Sequence, residues 1–216
     1  VVYEEAGVSL QDALDDLTWV GGGLDDVRTT REAIGADLVG MLSENLSGGG
    51  GIGWCTINSA YGYHITEWYN ITAYTFAHEV GHNLNCDHDP DNDDPDACGA
   101  SWARGHRWGP TGDEWRSVLA YSPGLRVPWY SDAQITHMGY ATGVVGSAEN
   151  ADAIRSNVDN VAAYRASRFD YWVDFDWPFG GSGTWGNPFN NLPDAIAQVI
   201  DTTGLSLPEL PTLHIK

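Results

Sequence analysis

The sequence predicts an α/β fold of the α+β type, in which a twisted mixed sheet packs on one central helix. Three segments, 36–42, 51–57 and 63–69, have the length and composition of strands; the first two are largely apolar and the third alternates. They precede an amphipathic segment at about 72–84 that has the period of a helix. An irregular C-terminal subdomain rich in Gly, Pro and Trp follows, and its last helix is expected at about 147–165.

The first third of the chain adds two helices and a short strand. Val1–Glu5 has the composition of a strand, and Ser9 is a suitable N-cap for a short helix with an apolar face. A second helix is expected at about 24–34, with Gly35 as its stop. The alternation of polar and apolar residues in Tyr63–Tyr69 predicts a half-buried or edge strand.

The composition changes near Phe169, where an aromatic, acidic and glycine-rich segment begins. We therefore expect a first domain at 1–168 and a second segment at 169–216, consisting of a linker and the start of another domain. Leu213–Lys216 has the pattern of a strand. Gly180–Lys216 resembles the opening of a parallel β-helix domain of secreted bacterial proteins, which implies a binding appendage.

The overall composition limits the classes of partner. The 216 residues include 30 acidic and 10 basic side chains, which gives a net charge of −20. Such a chain repels nucleic acids and anionic membranes, so neither is an expected partner, and we expect a monomer. No apolar run reaches the length of about 18 residues that a membrane span needs. The chain opens without methionine or a signal peptide, which we interpret as a processed protein or a fragment.

The stretch Thr75–His88 contains three histidines and a glutamate at a spacing that suits a metal centre. His78 and His82 are four residues apart, so both imidazoles lie on one face of a helix. His88 can join them only if the chain leaves the helix and turns back. Three imidazoles around a tetrahedral zinc leave the fourth position open for water, and Glu79 is placed to take a proton from that water. The alternative is an amphipathic helix that carries histidines by chance.

The run His78–His88, HExxHxxxxxH, resembles the zinc signature H-E-x-x-H-x-x-G-x-x-H of metzincin metalloproteases. Ser117–Tyr121 resembles the metzincin Met-turn. Four softer matches resemble bacterial reprolysin-like enzymes, including the peptidyl-Asp metalloendopeptidase group: Ala36–Val39, Gly51–Trp54, Gly105–Trp108 and Tyr121–Trp129. The resemblance covers 1–168. It implies a secreted bacterial zinc endopeptidase that acts on proteins or peptides, with His78, His82 and His88 as zinc ligands and Glu79 as catalytic base.

Three departures from the family pattern are present. Asn85 replaces glycine at a turn that often needs a left-handed backbone, which asparagine tolerates best after glycine. Leu119 replaces the Met-turn methionine, which in the family forms a hydrophobic floor below the histidines; this exchange conserves volume. The helix and strand that precede Val1–Glu5 in related enzymes are absent. These departures leave an alternative open, a catalytically degenerate metzincin fold that serves as a binding or adhesion module.

Two residues near the Met-turn are further candidates. In related metzincins a tyrosine at the position of Tyr121 ligates zinc or stabilises the oxyanion; the alternative is a packed ring with a satisfied hydroxyl. Arg126 follows on the expected substrate wall and is a candidate for binding an acidic substrate side chain, against a structural ion pair. The remaining histidines lack partners at ligand spacing and are interpreted as structural or exposed: His64, His106, His137 and His214.

A calcium site and a disulfide are also considered. The acidic residues around the third histidine could supply oxygen ligands to calcium, the alternative being a solvated acidic loop; they are Asp87, Asp89, Asp91 and Asp93. Cys86 and Cys98 are separated by a polar loop and form a feasible disulfide. Cys55 lies in an apolar run and is interpreted as a buried free thiol.

Overall fold

The computed structural model describes residues 3–92 and 98–165 and several short segments beyond residue 165. Those segments are 170–176, 178, 181, 188, 190–191, 193–194 and 212–215. The chain divides into two compact units, which are described separately. The first comprises 1–25 and 37–164, and the second comprises 26–36 and 165–216. The division into domains at residue 168 stays a prediction.

The first unit is built around a three-stranded mixed sheet. Its strands are β1 (Val39–Ser43), β2 (Gly51–Gly53) and β3 (Tyr63–Glu67). β3 pairs in parallel with β1 on one side and antiparallel with β2 on the other, so β2 is an edge strand. Each strand is shorter than the segment that predicted it.

β3 is the central strand and all its residues are buried, so the expectation of a half-buried or edge strand here is wrong. The alternating pattern misled because two of its polar side chains, His64 and Glu67, find hydrogen-bond partners inside the protein. Nδ1 of His64 lies 2.8 Å from Oδ1 of Asn83. Oε1 of Glu67 accepts hydrogen bonds from the Ser43 hydroxyl and from the Leu46 N–H.

The helices are α1 (Leu10–Thr18), α2 (Asp25–Ile34), α3 (Thr75–Asn83) and α4 (Asn150–Val161). α1 and α3 pack against the sheet. The Ser9 side chain accepts a hydrogen bond from the Asp12 N–H, which confirms the predicted N-cap of α1. α3 begins later than expected because Tyr74 adopts a left-handed backbone, with φ of 62°, and separates it from a preceding 3₁₀ helix, Trp68–Ala73.

The segment between α3 and α4 is irregular, as predicted, and contains only very short strands within the described residues. They are β4 (Arg107–Trp108), β5 (Trp115–Arg116), β6 (Leu125–Arg126), β7 (Thr136–His137) and β8 (Tyr140–Ala141). β5 pairs antiparallel with β4 and parallel with β6, and β7 pairs with β8. A buried cluster ties this segment to α4 and to the chain after α3; its members are Cys86, Ala103, Val118, Leu119 and Ala153.

The second unit contains α2 and a parallel pair of strands, β9 (Asp170–Val173) and β10 (Thr212–Ile215). Gly35 follows α2 with a φ of 70°, as its predicted role of helix stop requires. β10 confirms the strand expected near the end of the chain. Most of Gly180–Lys216 lies outside the described residues, and with it the predicted opening of a β-helix.

At the start of the described chain, residues 3–5 do not belong to a strand, contrary to the expectation for Val1–Glu5. The Glu5 carboxylate instead accepts hydrogen bonds from the backbone N–H groups of Glu44 and Asn45.

The helices of the described residues include none with the length and apolar composition of a membrane span.

Candidate metal centre

Helix α3 carries the first two histidines of the motif. His78 and His82 are one turn apart, and their Nε2 atoms lie 3.1 Å from each other. Both residues are buried. The i, i+4 spacing therefore brings two imidazole nitrogens to one point, as helical periodicity predicts.

The third histidine reaches the same point because the chain turns sharply after α3. Asn85 adopts a φ of 66°, the left-handed conformation expected at this position. Its N–H donates to the His82 carbonyl at 2.8 Å, and the Cys86 N–H donates to the Gly81 carbonyl at 3.0 Å. These bonds close the turn, and Nε2 of His88 comes within 3.1 Å of Nε2 of both helix histidines.

Backbone carbonyls set the orientation and the protonation of two imidazoles. Nδ1 of His78 lies 2.9 Å from the Val118 oxygen, and Nδ1 of His82 lies 2.9 Å from the Cys86 oxygen. A carbonyl only accepts hydrogen bonds, so each Nδ1 carries the proton and each Nε2 presents a lone pair. Burial lowers the pKa of His82 to about 3 and that of His78 well below its usual value, so both rings are neutral.

This donor set fits a metal cation. Two Nε2 lone pairs that face each other across 3.1 Å cannot form a hydrogen bond, whereas a cation between them satisfies both. Metal–nitrogen bonds of about 2.0–2.1 Å, as in zinc sites, place tetrahedral ligands at about the separation seen here. The three histidines form one of the potential metal-binding groups among the described residues.

Apolar contacts support the face of α3 that carries the histidines. Leu119 is fully buried and packs against Gly81. A Cβ atom at residue 81 would lie 2.7 Å from Cδ2 of Leu119 and 3.1 Å from Cε1 of Tyr130. The Tyr130 hydroxyl donates to the Ala77 carbonyl at 2.6 Å. Leu119 thus occupies the side of α3 on which the Met-turn residue is expected.

Glu79 is buried between α3 and the edge strand of the sheet. It is 4% exposed. Gly51 of β2 leaves the room for its carboxylate, because a Cβ atom at residue 51 would lie 2.6 Å from Oε1 of Glu79. Burial raises the pKa of Glu79 to about 8, although the positive charge of Arg126 opposes this rise. A carboxyl group with such a pKa can exchange a proton at about pH 7.

The ring of Tyr121 stands against two of the histidines. Its centroid lies 4.4 Å from that of His88 and 5.7 Å from that of His78. Its N–H donates to Oδ2 of Asp89 at 2.9 Å, which holds the backbone in place. Burial and the Glu79 carboxylate raise the pKa of Tyr121, so its hydroxyl stays protonated and remains a donor. The catalytic role of that hydroxyl stays a prediction.

Arg126 lies in β6, in register with Arg116 of β5. Its Nη1 donates to the Ala73 carbonyl at 3.1 Å, and its Nη2 lies 3.5 Å from the Ala120 carbonyl oxygen. The ion pairs formed by the described residues do not include Arg126. The structural ion pair suggested as the alternative for Arg126 is therefore wrong among the described residues. Backbone carbonyls, not a carboxylate, accept the hydrogen bonds of its guanidinium.

An open cleft of about 300 Å³ borders these groups. Its lining combines the motif, the edge strand and the turn at residue 121: Gly51, Ile52, Gly53, Cys55, His78, Glu79, His82, Asp87, His88, Cys98 and Tyr121. The cleft is open to solvent beside the histidines, so a substrate can reach them.

Cys55 and Cys98 form a disulfide in the wall of this cleft. The predicted pairing of Cys86 with Cys98 is therefore wrong, and so is the interpretation of Cys55 as a free thiol. Cys86 is the buried free thiol instead, with Sγ 3.4 Å from the Asn150 carbonyl oxygen. Closeness in sequence misled because the side chain of Cys86 points into the apolar cluster, where burial raises its pKa to about 12.

The acidic residues around the third histidine use their carboxylates within the protein. Asp89 is 1% exposed, accepts hydrogen bonds from the Asn92 amide and lies 3.3 Å from Nη2 of Arg107. Asp91 also pairs with Arg107. Asp93 lies outside the described residues, so the calcium site stays a prediction.

The remaining described histidines have structural surroundings, as predicted. His64 is buried in β3. His106 and His137 pack their rings against Trp108. These three histidines belong to none of the potential metal-binding groups found among the described residues. The side chain of His214 lies outside the described part of the chain.

Three structural features of the site were not predicted from the sequence. The carbonyls of Val118 and Cys86 orient the imidazoles, but backbone groups carry no sequence signal. Gly51 makes room for Glu79, and here a signal existed, since glycine inside a strand often marks a close approach. The pairing of Arg126 with Arg116 needed strand register, which sequence patterns of two-residue strands do not provide.

Two bacterial metalloendopeptidases resemble this chain over about three quarters of its length. A Peptidyl-Asp metalloendopeptidase of Stenotrophomonas maltophilia (strain R551-3) is 31% identical over 174 residues, which cover 76% of this chain and 40% of that protein. A Peptidyl-Asp metalloendopeptidase of Pseudomonas aeruginosa is 28% identical over 212 residues, covering 77% and 35%. The chain thus spans well under half the length of these relatives.

A solved structure and a family model complete the comparison. A chain in a structure described as "Structure of a chaperone-substrate complex" superposes with a TM-score of 0.59 at 20% identity, covering 76% of this chain and 26% of that one. This likeness concerns the fold alone. The model of metallo-peptidase family M12, of reprolysin type, matches residues 3–124. Because that match spans more than half of the 216 residues, the chain belongs to metallo-peptidase family M12.

Proposed function

We propose that this protein is a zinc-dependent endopeptidase in which Glu79 moves the proton during peptide hydrolysis. The proposal rests on one observation, the convergence of three Nε2 atoms within 3.1 Å of one another beside a buried carboxylate in an open cleft. Family membership and the names of the relatives, which are metalloendopeptidases, support it.

His78, His82 and His88 are the residues that would hold the zinc ion. Zinc, when bound, lowers the pKa of a coordinated water and polarises a carbonyl oxygen. The Glu79 carboxylate accepts the proton of the attacking water and passes it to the leaving amine. A pKa of about 8 in the metal-free site supports this role, because the group binds a proton readily in this environment.

Tyr121 is proposed to stabilise the negative charge that develops on the carbonyl oxygen. Its ring packs on His88 with centroids 4.4 Å apart, and it lines the cleft. A phenol that stays protonated donates a hydrogen bond at no cost in reorganisation, and such a donor is typically worth about 3 kcal/mol in the transition state.

The substrate is proposed to be an extended peptide. β2 is an edge strand of the sheet and lines the cleft, so its unpaired backbone groups can bond to another extended chain. The relatives are named Peptidyl-Asp metalloendopeptidases, and we extend this name to a preference for peptide bonds next to aspartate.

We propose that the protein is secreted by a bacterium. A disulfide between Cys55 and Cys98 supports an oxidising compartment, where such bonds persist.

The structure accommodates both departures within the zinc motif and the Met-turn. Asn85 takes the left-handed conformation, and the Leu119 side chain is fully buried. Neither observation therefore favours the alternative of a degenerate binding module.

Metal analysis combined with a peptide digest tests the proposal. We expect one zinc per chain, and activity on a peptide library that a chelator abolishes and zinc restores. Glu79→Gln should keep the zinc and lower turnover at least about a hundredfold, because general base catalysis is lost. Glu44→Gln, at an exposed position, is the matched control. An active Glu79→Gln variant, or a zinc-loaded protein without turnover, would contradict the proposed function.

A further inference from the structure

Two guanidinium groups lie side by side next to the metal centre. Arg116 and Arg126 are direct neighbours across the β5–β6 pair. Nη1 of Arg116 donates to the Ala120 carbonyl at 2.6 Å, and Nη2 of Arg126 approaches the same oxygen at 3.5 Å. Like charges in register across a strand pair repel, so this arrangement costs stability unless an anion joins it.

No acidic side chain of the described residues forms an ion pair with either arginine. This is unexpected in a chain with 30 acidic and 10 basic residues. Other arginines in the described part do pair, as Arg107 does with Asp89 and Arg155 with Asp132. Within the described residues, the hydrogen bonds of Arg116 and Arg126 go to backbone carbonyls, those of Gly124 and Ala120 for Arg116 and those of Ala73 and Ala120 for Arg126.

The guanidinium of Arg126 keeps donors for a further acceptor. Nη1 and Nη2 each carry two N–H groups, and each directs one to a backbone carbonyl, those of Ala73 and Ala120. One N–H on each nitrogen remains, and a carboxylate can accept a hydrogen bond from either. The Nε atom is buried without a partner, so the side chain is not fully satisfied by the protein.

Arg126 is held close to the reacting groups. Ala73 is the last residue of the 3₁₀ helix before α3, and Ala120 immediately precedes Tyr121, so the two carbonyls hold the guanidinium between the start of the metal helix and the tyrosine. Tyr121 lines the cleft, and its ring centroid lies 4.4 Å from that of His88. The guanidinium of Arg126 is thus held by the residue that precedes Tyr121, a residue of the cleft wall.

We propose that Arg126, supported by Arg116, binds the side-chain carboxylate of the substrate and sets a preference for aspartate over its neutral isostere asparagine. This inference rests on the proposed function, which supplies the peptide substrate. It adds the residue that recognises the aspartate side chain of that substrate. Arg126 is then a specificity residue rather than a catalytic one, since it contacts the side chain and not the reacting atoms.

Peptide binding tests the inference without turnover. Two labelled alanine heptapeptides, with Asp or Asn at the centre, are titrated into the zinc-loaded Glu79→Gln protein and into the same protein carrying Arg126→Gln, Arg126→Lys or Arg155→Gln. We expect the Asp peptide to bind at least about tenfold more tightly than the Asn peptide, and Arg126→Gln to reduce this ratio to about two or less. Arg126→Lys should keep part of the preference, and Arg155→Gln, which removes a distant charge, should keep all of it.

A preference for Asp that survives Arg126→Gln, or no preference in the parent protein, overturns the inference. If Arg126→Gln fails to fold, the preference of the parent protein for the Asp peptide is measured at about 0.05 and about 0.5 M NaCl. The higher salt concentration must weaken a preference that depends on charge. Turnover of the two peptides by the protein with Glu79 separates the two proposals. An Arg126-dependent binding preference without any turnover supports the role of Arg126 and rejects the peptidase.

Discussion

The Nδ1 atom of His82 lies 2.9 Å from the carbonyl oxygen of Cys86, and that oxygen is also in contact with the Cys55–Cys98 disulfide. Sγ of Cys55 lies 3.2 Å from it and Sγ of Cys98 lies 3.4 Å from it. The disulfide therefore packs against the Cys86 carbonyl group, which orients the imidazole of His82. Such outer contacts to a ligand histidine commonly govern how tightly a metal is held.

Removal of the disulfide should therefore loosen the metal as well as the fold. We expect Cys55→Ser combined with Cys98→Ser to lower zinc affinity about tenfold and the free energy of unfolding by about 2–4 kcal/mol. A competition titration with a chelator and urea unfolding measure the two effects. Cys86→Ala is the control, since the carbonyl of residue 86 belongs to the backbone and remains. Wild-type zinc affinity in the double variant would show that the disulfide does not act on the site.

The part of the site that lies within one helix could be predicted from the sequence. The spacing of His78 and His82 is a local property of helix geometry, and the turn at Asn85 follows from the few residues that accept a left-handed backbone. The N-cap at Ser9 was predictable for the same reason, because it depends on only four consecutive residues.

The features that required distant parts of the chain to meet were not predictable. The partner of Cys98 depends on where β2 ends relative to the loop after α3, and no sequence distance encodes that position. β3 alternates like a half-buried strand, yet it is fully buried, and Asn83 and Ser43 bond to His64 and Glu67 inside the protein. A local sequence pattern does not show which distant residues will form hydrogen bonds with a buried polar side chain.

The turn at Asn85 gives a prediction about backbone strain. Asn85→Ala should lower the free energy of unfolding by about 1–2 kcal/mol, because alanine is strained at a φ of 66°. Asn85→Gly should stay within about 1 kcal/mol of the wild type. Urea unfolding measures both, and Asn45→Ala, at an exposed position, is the control. Equal stability of the alanine and glycine variants would mean that this turn stores no strain.

The contact between Gly81 and Leu119 gives a prediction about packing. Gly81→Ala should destabilise by about 1–3 kcal/mol, since the new methyl group meets Cδ2 of Leu119 at 2.7 Å before relaxation. Leu119→Ala should cost about 2–5 kcal/mol, because it opens a cavity in a fully buried position.

The double variant decides whether these two residues act through each other. Leu119→Ala removes the atom that Gly81→Ala strikes, so the combined loss should be at least about 1 kcal/mol smaller than the sum of the single losses. Urea unfolding of the four proteins completes the cycle. Leu119→Met, which conserves volume, should cost less than about 1.5 kcal/mol and is the control. Additive losses would argue against direct contact.

The buried carboxyl of Glu79 predicts how the stability of the metal-free protein depends on pH. Its pKa rises from an ordinary value of 4.5 to about 8 on folding, so between these values the folded state binds a proton that the unfolded state has lost. Stability contributed by this group is therefore lost as pH increases through that window. The pKa of His82 falls from 6.5 to about 3 for the same reason, so its contribution is lost as pH decreases below 6.5.

Glu79→Gln separates the two effects because glutamine has the same shape and no charge. After removal of metal, we expect the variant to match the wild type at about pH 4.5 and to exceed it progressively, by up to a few kcal/mol, as the pH reaches about 8. The acid-side loss due to His82 should remain in both proteins. Urea unfolding at a series of pH values measures the difference, and Glu44→Gln, at an exposed position, should follow the wild type throughout. A constant difference between Glu79→Gln and the wild type across this range would mean that Glu79 keeps its ordinary protonation behaviour in the folded protein, and the case for it as a base poised near neutral pH would fall with it.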